Sequence, residues 1–241
     1  NGVEPLQPAA YVAFLSAAAG VPPPGDYSIT LPALPPDGET GDVVVSNALA
    51  DAEPAPWLLA LLDVRTVVSQ FPLPGPWPAA EYRNDREDLA VYRNPAAVEW
   101  PAVFQRVTTV PDLEAALARA GTGDPSREAV VVGGPSLDGP PGYSRADQLS
   151  FGPNRLLVRA AGPGLLVLSE YYHPGWYATV DGSPAEIVAA DAVLRGVYLD
   201  EGEHEVEMVY RPKAVIVGSV ITGLSVLLLA VGWVLDRRQG R

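Results

Sequence analysis

From Ala214 to Leu235 the chain reads AVIVGSVITGLSVLLLAVGWVL, 22 residues without a charge or a proline. No other stretch restricts the fold as strongly. At about 1.5 Å of rise per residue an α-helix of this length reaches roughly 33 Å. The hydrocarbon core of a bilayer is roughly 30 Å thick. A helix satisfies its own backbone hydrogen bonds, which lipid cannot do for it. Ser219, Thr222 and Ser225 are short enough to bond back to the backbone, and Gly218, Thr222 and Ser225 are small enough to admit a second helix. A core helix of a water-soluble domain is ordinarily shorter and apolar on one face. The expectation is therefore a transmembrane helix over 214–235. Arg211 and Lys213 precede it; Asp236, Arg237, Arg238 and Arg241 lie in the short tail 236–241. The excess of positive charge after the span puts the tail in the cytoplasm and the large domain outside.

Charge narrows the partners. The formal net charge is −13, and the segment after Lys213 carries +2, so residues 1–213 carry −15. A body this acidic repels phosphates and has no basic groove to follow them, which argues against nucleic acid as a partner. There is no cysteine, so disulfides, zinc-thiolate sites and cysteine nucleophiles are excluded. A body outside the cell then depends on its hydrophobic core.

Along the chain, 1–46 reads as a leading segment of loops with a short helix over Tyr11–Ala19 and a short strand over Val43–Val45. Residues 47–142 read as an α+β domain. Asn47 suits the N-cap of Ala48–Leu62, a stretch that Pro54 and Pro56 break in two. Strands are expected at Val64–Gln70, Leu89–Arg93, Ala102–Thr108 and Glu128–Val132. A helix is expected at Pro111–Ala120, with Pro111, Asp112 and Glu114 at its positive end and Gly121 after it. Gly133–Gly142 reads as a linker.

From Asn154 the helical signals stop. Strands are expected at Arg155–Ala160, Leu165–Tyr171, Trp176–Val180, Ala185–Ala190, Val193–Leu199 and His204–Tyr210, with Asp181-Gly182 as a hairpin turn. In the last strand Glu203, Glu205 and Glu207 alternate with His204, Val206, Met208 and Tyr210, giving one wet and one packed face. The expected fold is thus an α+β first half, an antiparallel β-sandwich over 150–213, and one C-terminal transmembrane helix. The final strand runs through Arg211-Pro212-Lys213 into that helix, which holds the β domain near the bilayer.

Catalytic signals are sparse. His204 falls on the packed face and reads as a satisfied core histidine. His173 sits in a turn with no nucleophile motif beside it. Two histidines make a poor metal site. Val130–Gly142 lacks the lysine and spacing of a phosphate-binding loop. Asn84–Asp88 lacks the alternating ligands and turn glycine of a calcium loop. No catalytic residue, metal or cofactor is expected from these residues. The densest aromatic group is Tyr171, Tyr172, His173, Trp176 and Tyr177. Alternation puts Trp176 with Ala178 and Val180 on the packed face, so Trp176 reads as core. Tyr171, Tyr172, His173 and Tyr177 remain as candidate glycan contacts, since aromatic faces stack on sugar rings. The alternative is a place at the lipid headgroups.

The order of pieces in this half resembles a known family. Ser169–Gly182 (SEYYHPGWYATVDG) is followed by Leu194–Tyr198 (LRGVY), Gly202–Val206 (GEHEV), Tyr210-Arg211-Pro212 and a hydrophobic span. This resembles the C-terminal region of the YfhO family of bacterial membrane proteins. Upstream, Leu59–Val68 and Leu89–Pro101 look like that family's helix-strand segment and its Asn-Pro loop, although Glu99-Trp100-Pro101 stands where the family often has Pro-Arg. The resemblance implies a polytopic protein related to GT-C glycosyltransferases, which act on cell-envelope polymers from lipid-linked sugars. It also implies a preceding multi-span transmembrane part of the same protein. The catalytic acidic residue of such enzymes lies in an early exterior loop, so none is carried over here. On this basis the chain is expected to support or hold an acceptor glycan rather than to transfer sugar. The alternative is a membrane-tethered, non-enzymatic glycan-binding or structural module.

Overall fold

The computed structural model describes residues 9–20, 53–84 and 89–239. The expected strand Val43–Val45 and the Asn47 cap lie outside them, as does most of the Asn84–Asp88 cluster. Two helices come first, α1 (Ala9–Ala19) and α2 (Pro56–Leu61). Pro56 starts α2, where its missing N–H costs nothing. The Ala55 N–H donates to the Ala18 carbonyl at 3.0 Å and ties the two helices together. Next come β1 (Thr66–Ser69), β2 (Tyr82–Asn84) and β3 (Leu89–Arg93), a small antiparallel sheet in the order β1-β3-β2.

β4 (Ala102–Val110), α3 (Leu113–Thr122) and β5 (Ala129–Val132) form a strand–helix–strand unit whose two strands run parallel. The helix begins two residues after Pro111 because Asp112 is extended and acts as the N-cap, its Oδ1 accepting from the Ala115 N–H at 2.8 Å. β6 (Leu137–Arg145) occupies most of the stretch read as a linker. It pairs only with β4 among the described residues. An edge position tolerates Pro140 and Pro141, which cannot donate to a ladder.

The remaining strands are β7 (Asp147–Gly152), β8 (Arg155–Tyr171), β9 (Trp176–Val180), β10 (Ser183–Ala185), β11 (Val188–Ala190) and β12 (Leu194–Tyr210). β4 to β12 belong to one mixed nine-stranded sheet. This corrects the expected sandwich of six short antiparallel strands. Two pairs of those strands are continuous, giving β8 and β12, which are 17 residues each and paired along their length. The sheet also runs across the expected boundary between 142 and 150, since β4 pairs with β8 and β5 with β11.

The break between the expected short strands survives as a bend. The β8–β12 register shifts between Leu199 and Gly202, opposite Gly162-Pro163-Gly164. A Cβ on Gly162 would collide with the Asp200 carbonyl, and one on Gly164 (φ 156°) would lie 2.6 Å from the Phe104 carbonyl oxygen. Only glycine lets the chain pass that closely. One buried cluster draws Leu166, Leu168, Val197 and Leu199 from one side of the bend and Leu156, Val158, Val206 and Met208 from the other. The ribbon therefore folds over its own core. A second cluster lies on the opposite face, where Phe14 of α1, Leu58 and Leu61 of α2 and Ala116 of α3 cover Phe104, Val107, Val131 and Leu194. Each such side chain taken out of water contributes about 1.5–3 kcal/mol.

β12 alternates as expected: Val206 and Met208 are fully buried while Glu203 and Glu205 are exposed. After Pro212 comes α4 (Lys213–Gln239). Within it Lys213–Val231 is long and apolar enough to cross a membrane, and that window has no buried residue. Leu228 and Leu229 are more than two-thirds exposed. Large aliphatic side chains left open in this number match a lipid environment better than water.

Candidate functional site

The base of α4 is where the aromatic residues gather. Trp176 opens β9 opposite Tyr210, the last residue of β12. The Tyr210 N–H donates to the Asn154 carbonyl at 2.9 Å, and the Arg211 N–H to the Gly175 carbonyl at 2.7 Å. The turn 172–175 is thereby pinned to the segment leading into the apolar helix. Within that turn His173 Nδ1 accepts from the Gly175 N–H at 3.0 Å, so that nitrogen carries no proton. The His173 and Trp176 rings stand 5.5 and 5.3 Å from the Tyr210 ring.

Beneath Trp176 lies Arg195, whose side chain is 2 % exposed. Its guanidinium sits 3.9 Å from the Trp176 ring centroid and pairs through Nη2 with Glu170 Oε2. Nε and Nη1 have no hydrogen-bond partner, so the aromatic face is the main compensation for that part of the cation. Burial lowers the Arg195 pKa to about 10, which keeps it charged at neutral pH. A buried cation held this way positions its neighbours: it fixes the Glu170 carboxylate and the plane of Trp176.

The expected glycan contacts do not form one platform. His173 joins Trp176 and Tyr210. Tyr171 turns to the helix-covered core and meets Tyr11 of α1 edge-on at 5.2 Å. Its partial burial raises the phenol pKa. Tyr172 is half-buried, its N–H donating to the Val193 carbonyl at 2.7 Å. Tyr177 is 44 % exposed. It alternates with Trp176, which packs against the ribbon core as expected. Arg195, Glu170 and Tyr210 were not singled out from the sequence. The available signal was a lone arginine in phase with Val193, Val197 and Leu199 of an otherwise apolar strand.

Two other polar clusters are structural. His204 Nδ1 lies 2.7 Å from Asp181 Oδ2, and its Nε2 3.1 Å from the Asp200 carbonyl. The histidine is satisfied, as expected. Its hydrogen bond to Asp181 raises its pKa, while the Glu205 N–H and then His204 hold that of Asp181 down. Asp191 lies in the turn between β11 and β12 at φ 46°. Its Oδ1 accepts from the Val130 N–H at 2.8 Å and its Oδ2 is unpartnered. A cavity of about 10 Å³ beside it is lined also by Glu128 and Arg119, room for one water. Desolvation, helped by the charge on Glu128, raises the Asp191 pKa to about 7. Gly133 and Gly134 form a turn between β5 and β6, with no helix N-terminus to receive a phosphate. Among the described residues no group of three or more acidic or histidine side chains is placed to hold a metal ion.

No curated protein matches the chain, and no solved structure does. The upstream stretches Leu59–Val68 and Leu89–Pro101 lie outside the segment that a family model matches. The segment from early β8 to the first turns of α4, residues 157–222, which contains Glu170, His173, Trp176, Arg195 and Tyr210, matches the model of the family described as bacterial membrane protein YfhO.

Proposed function

We propose that the sheet body is the exterior, acceptor-holding part of a polytopic YfhO-like membrane protein of the GT-C glycosyltransferase type. Sugar transfer would belong to a multi-span part preceding it, and the body would hold or brace the cell-envelope polymer being modified. One observation carries this reading. The aromatic turn 172–175 is hydrogen-bonded through Gly175 to Arg211, two residues before α4 begins. A surface fixed at that point stays at the headgroup level, where a lipid-linked sugar would meet a polymer outside the membrane. The residues there favour holding over reacting. His173 has one ring nitrogen committed to a backbone N–H. That nitrogen carries the lone pair of the neutral ring, so the ring's basic site is already taken. A general base needs a free nitrogen within reach of the proton it takes.

The test uses the purified 241-residue chain in lipid nanodiscs with a lipid-linked sugar donor and an uncharged cell-envelope polysaccharide. The expected result is no sugar transfer but retention of the polymer, weakened severalfold by Tyr177→Ala. Measurable transfer by this chain alone would overturn the division of labour. Lack of retention would overturn the acceptor-holding role.

A further inference from the structure

A groove of about 200 Å³ is lined by residues outside the aromatic turn. It is lined by Gln148 and Phe151 of β7, Ser169 and Glu170 of β8, and Asp63 and Trp100. Sites for drug-sized ligands occupy about 300–1,000 Å³, so this groove admits a single ring-sized unit.

Its lining selects the chemistry. No lysine or arginine lines it, which disfavours a phosphate or carboxylate ligand. Its two carboxylates are each already matched by an arginine. Asp63 Oδ1 accepts from Arg65 Nε at 2.9 Å, and Glu170 Oε2 is paired with Arg195. No net negative charge is left to attract a cation, but a second acceptor oxygen remains on each carboxylate. Gln148 adds an amide that both donates and accepts. The Ser169 hydroxyl donates to the Leu61 carbonyl at 2.7 Å, so its lone pairs remain for a ligand hydroxyl. Beside these polar groups the Phe151 ring is 64 % exposed. An aromatic face this open gains when an apolar surface covers it. The Trp100 indole is held in place by its N–H donating to the Ala60 carbonyl at 2.9 Å.

We propose that this groove binds one uncharged pyranose ring, its C–H face on Phe151 and its hydroxyls on Asp63, Gln148 and Glu170. The choice of a sugar over another ring-sized polyol rests on the acceptor-holding reading above. The buried Arg195 is a positioning residue for the site, because it sets the direction of the Glu170 carboxylate.

The test is saturation-transfer NMR on the full chain in nanodiscs, titrated with the methyl glycosides of glucose, galactose and N-acetylglucosamine. Saturable binding of at least one is expected, weakened about tenfold or more by Phe151→Ala and by Gln148→Ala. Both substitutions sit on an exposed edge strand, and circular dichroism confirms that the variants fold. No saturable signal up to about 50 mM of any of the three would overturn the proposal. So would binding that survives both groove substitutions. If such binding is lost in Tyr177→Ala, the groove is wrong while acceptor holding stands.

Discussion

Asp191 is a buried carboxyl with one unpartnered oxygen, and its consequence is a pH dependence with a definite sign. Its folded pKa, about 7, lies above the ordinary 3.8. Between those values the native chain holds a proton that the unfolded chain releases. The stabilisation is therefore complete below pH 3.8 and is lost as pH rises through 7. His204, also raised, contributes with the same sign: its share is present below about 6.5 and lost above its folded value. That share is small because the ring lies near solvent. Asp191→Asn keeps an acceptor for the Val130 N–H and removes the titration. Thermal melts followed by circular dichroism from pH 5 to 8 should show the wild-type melting point falling toward pH 8. The variant should fall far less, and at pH 8 should exceed the wild type by on the order of 1–2 kcal/mol. A variant that tracks the wild type across that range would remove Asp191 from the account.

At the scale of elements, glycine is required for two different reasons, close contact in the β8–β12 bend and conformation in the β9–β10 turn. At Gly162 the obstacle is contact with the Asp200 carbonyl, whereas Gly182 (φ 79°) has open space around its missing Cβ. Gly162→Ala should cost about 3 kcal/mol through overpacking and backbone displacement. Gly182→Ala should cost about 1 kcal/mol through conformation alone. Equal losses for the two in denaturation curves would contradict a close-packed bend. The same ribbon shows what the sequence made legible. Leu89–Arg93 and Trp176–Val180 have the bounds expected from their alternation, and β12 has the expected wet and packed faces. Those are local signals. The expected strands stop at Ala160 and resume at Leu165 because the partner of the run between them, Leu199 to Gly202, is remote in sequence. β6 looked like a linker because its prolines are tolerable only at an edge, and edges are decided by topology. The parallel β4–β5 pair and the joining of both halves into one sheet are equally non-local. For the candidate site, the aromatic residues were visible as a cluster, but Tyr171 and Tyr177 could not be separated from His173 without knowing where α1 packs. Arg195 was missed because one charge in an apolar strand does not reveal its partners, Glu170 and Trp176.

At the scale of the whole molecule, an acidic sheet body passes without a linker into an apolar helix. β12 ends at Tyr210 and α4 begins at Lys213. Pro212 cannot donate to the sheet ladder and ends the strand there. The body has its own buried clusters and does not cover the apolar window of the helix. The apolar surface of α4 is left open by the body, and every functional reading above takes it to meet lipid. The direct measurement is light scattering of the full chain after detergent removal, with and without lipid nanodiscs. The chain should be monodisperse only when reconstituted in the nanodiscs and should aggregate in plain buffer. A monodisperse monomer in plain buffer, with Ala214–Leu235 protected from hydrogen exchange by its own globular body, would contradict the account.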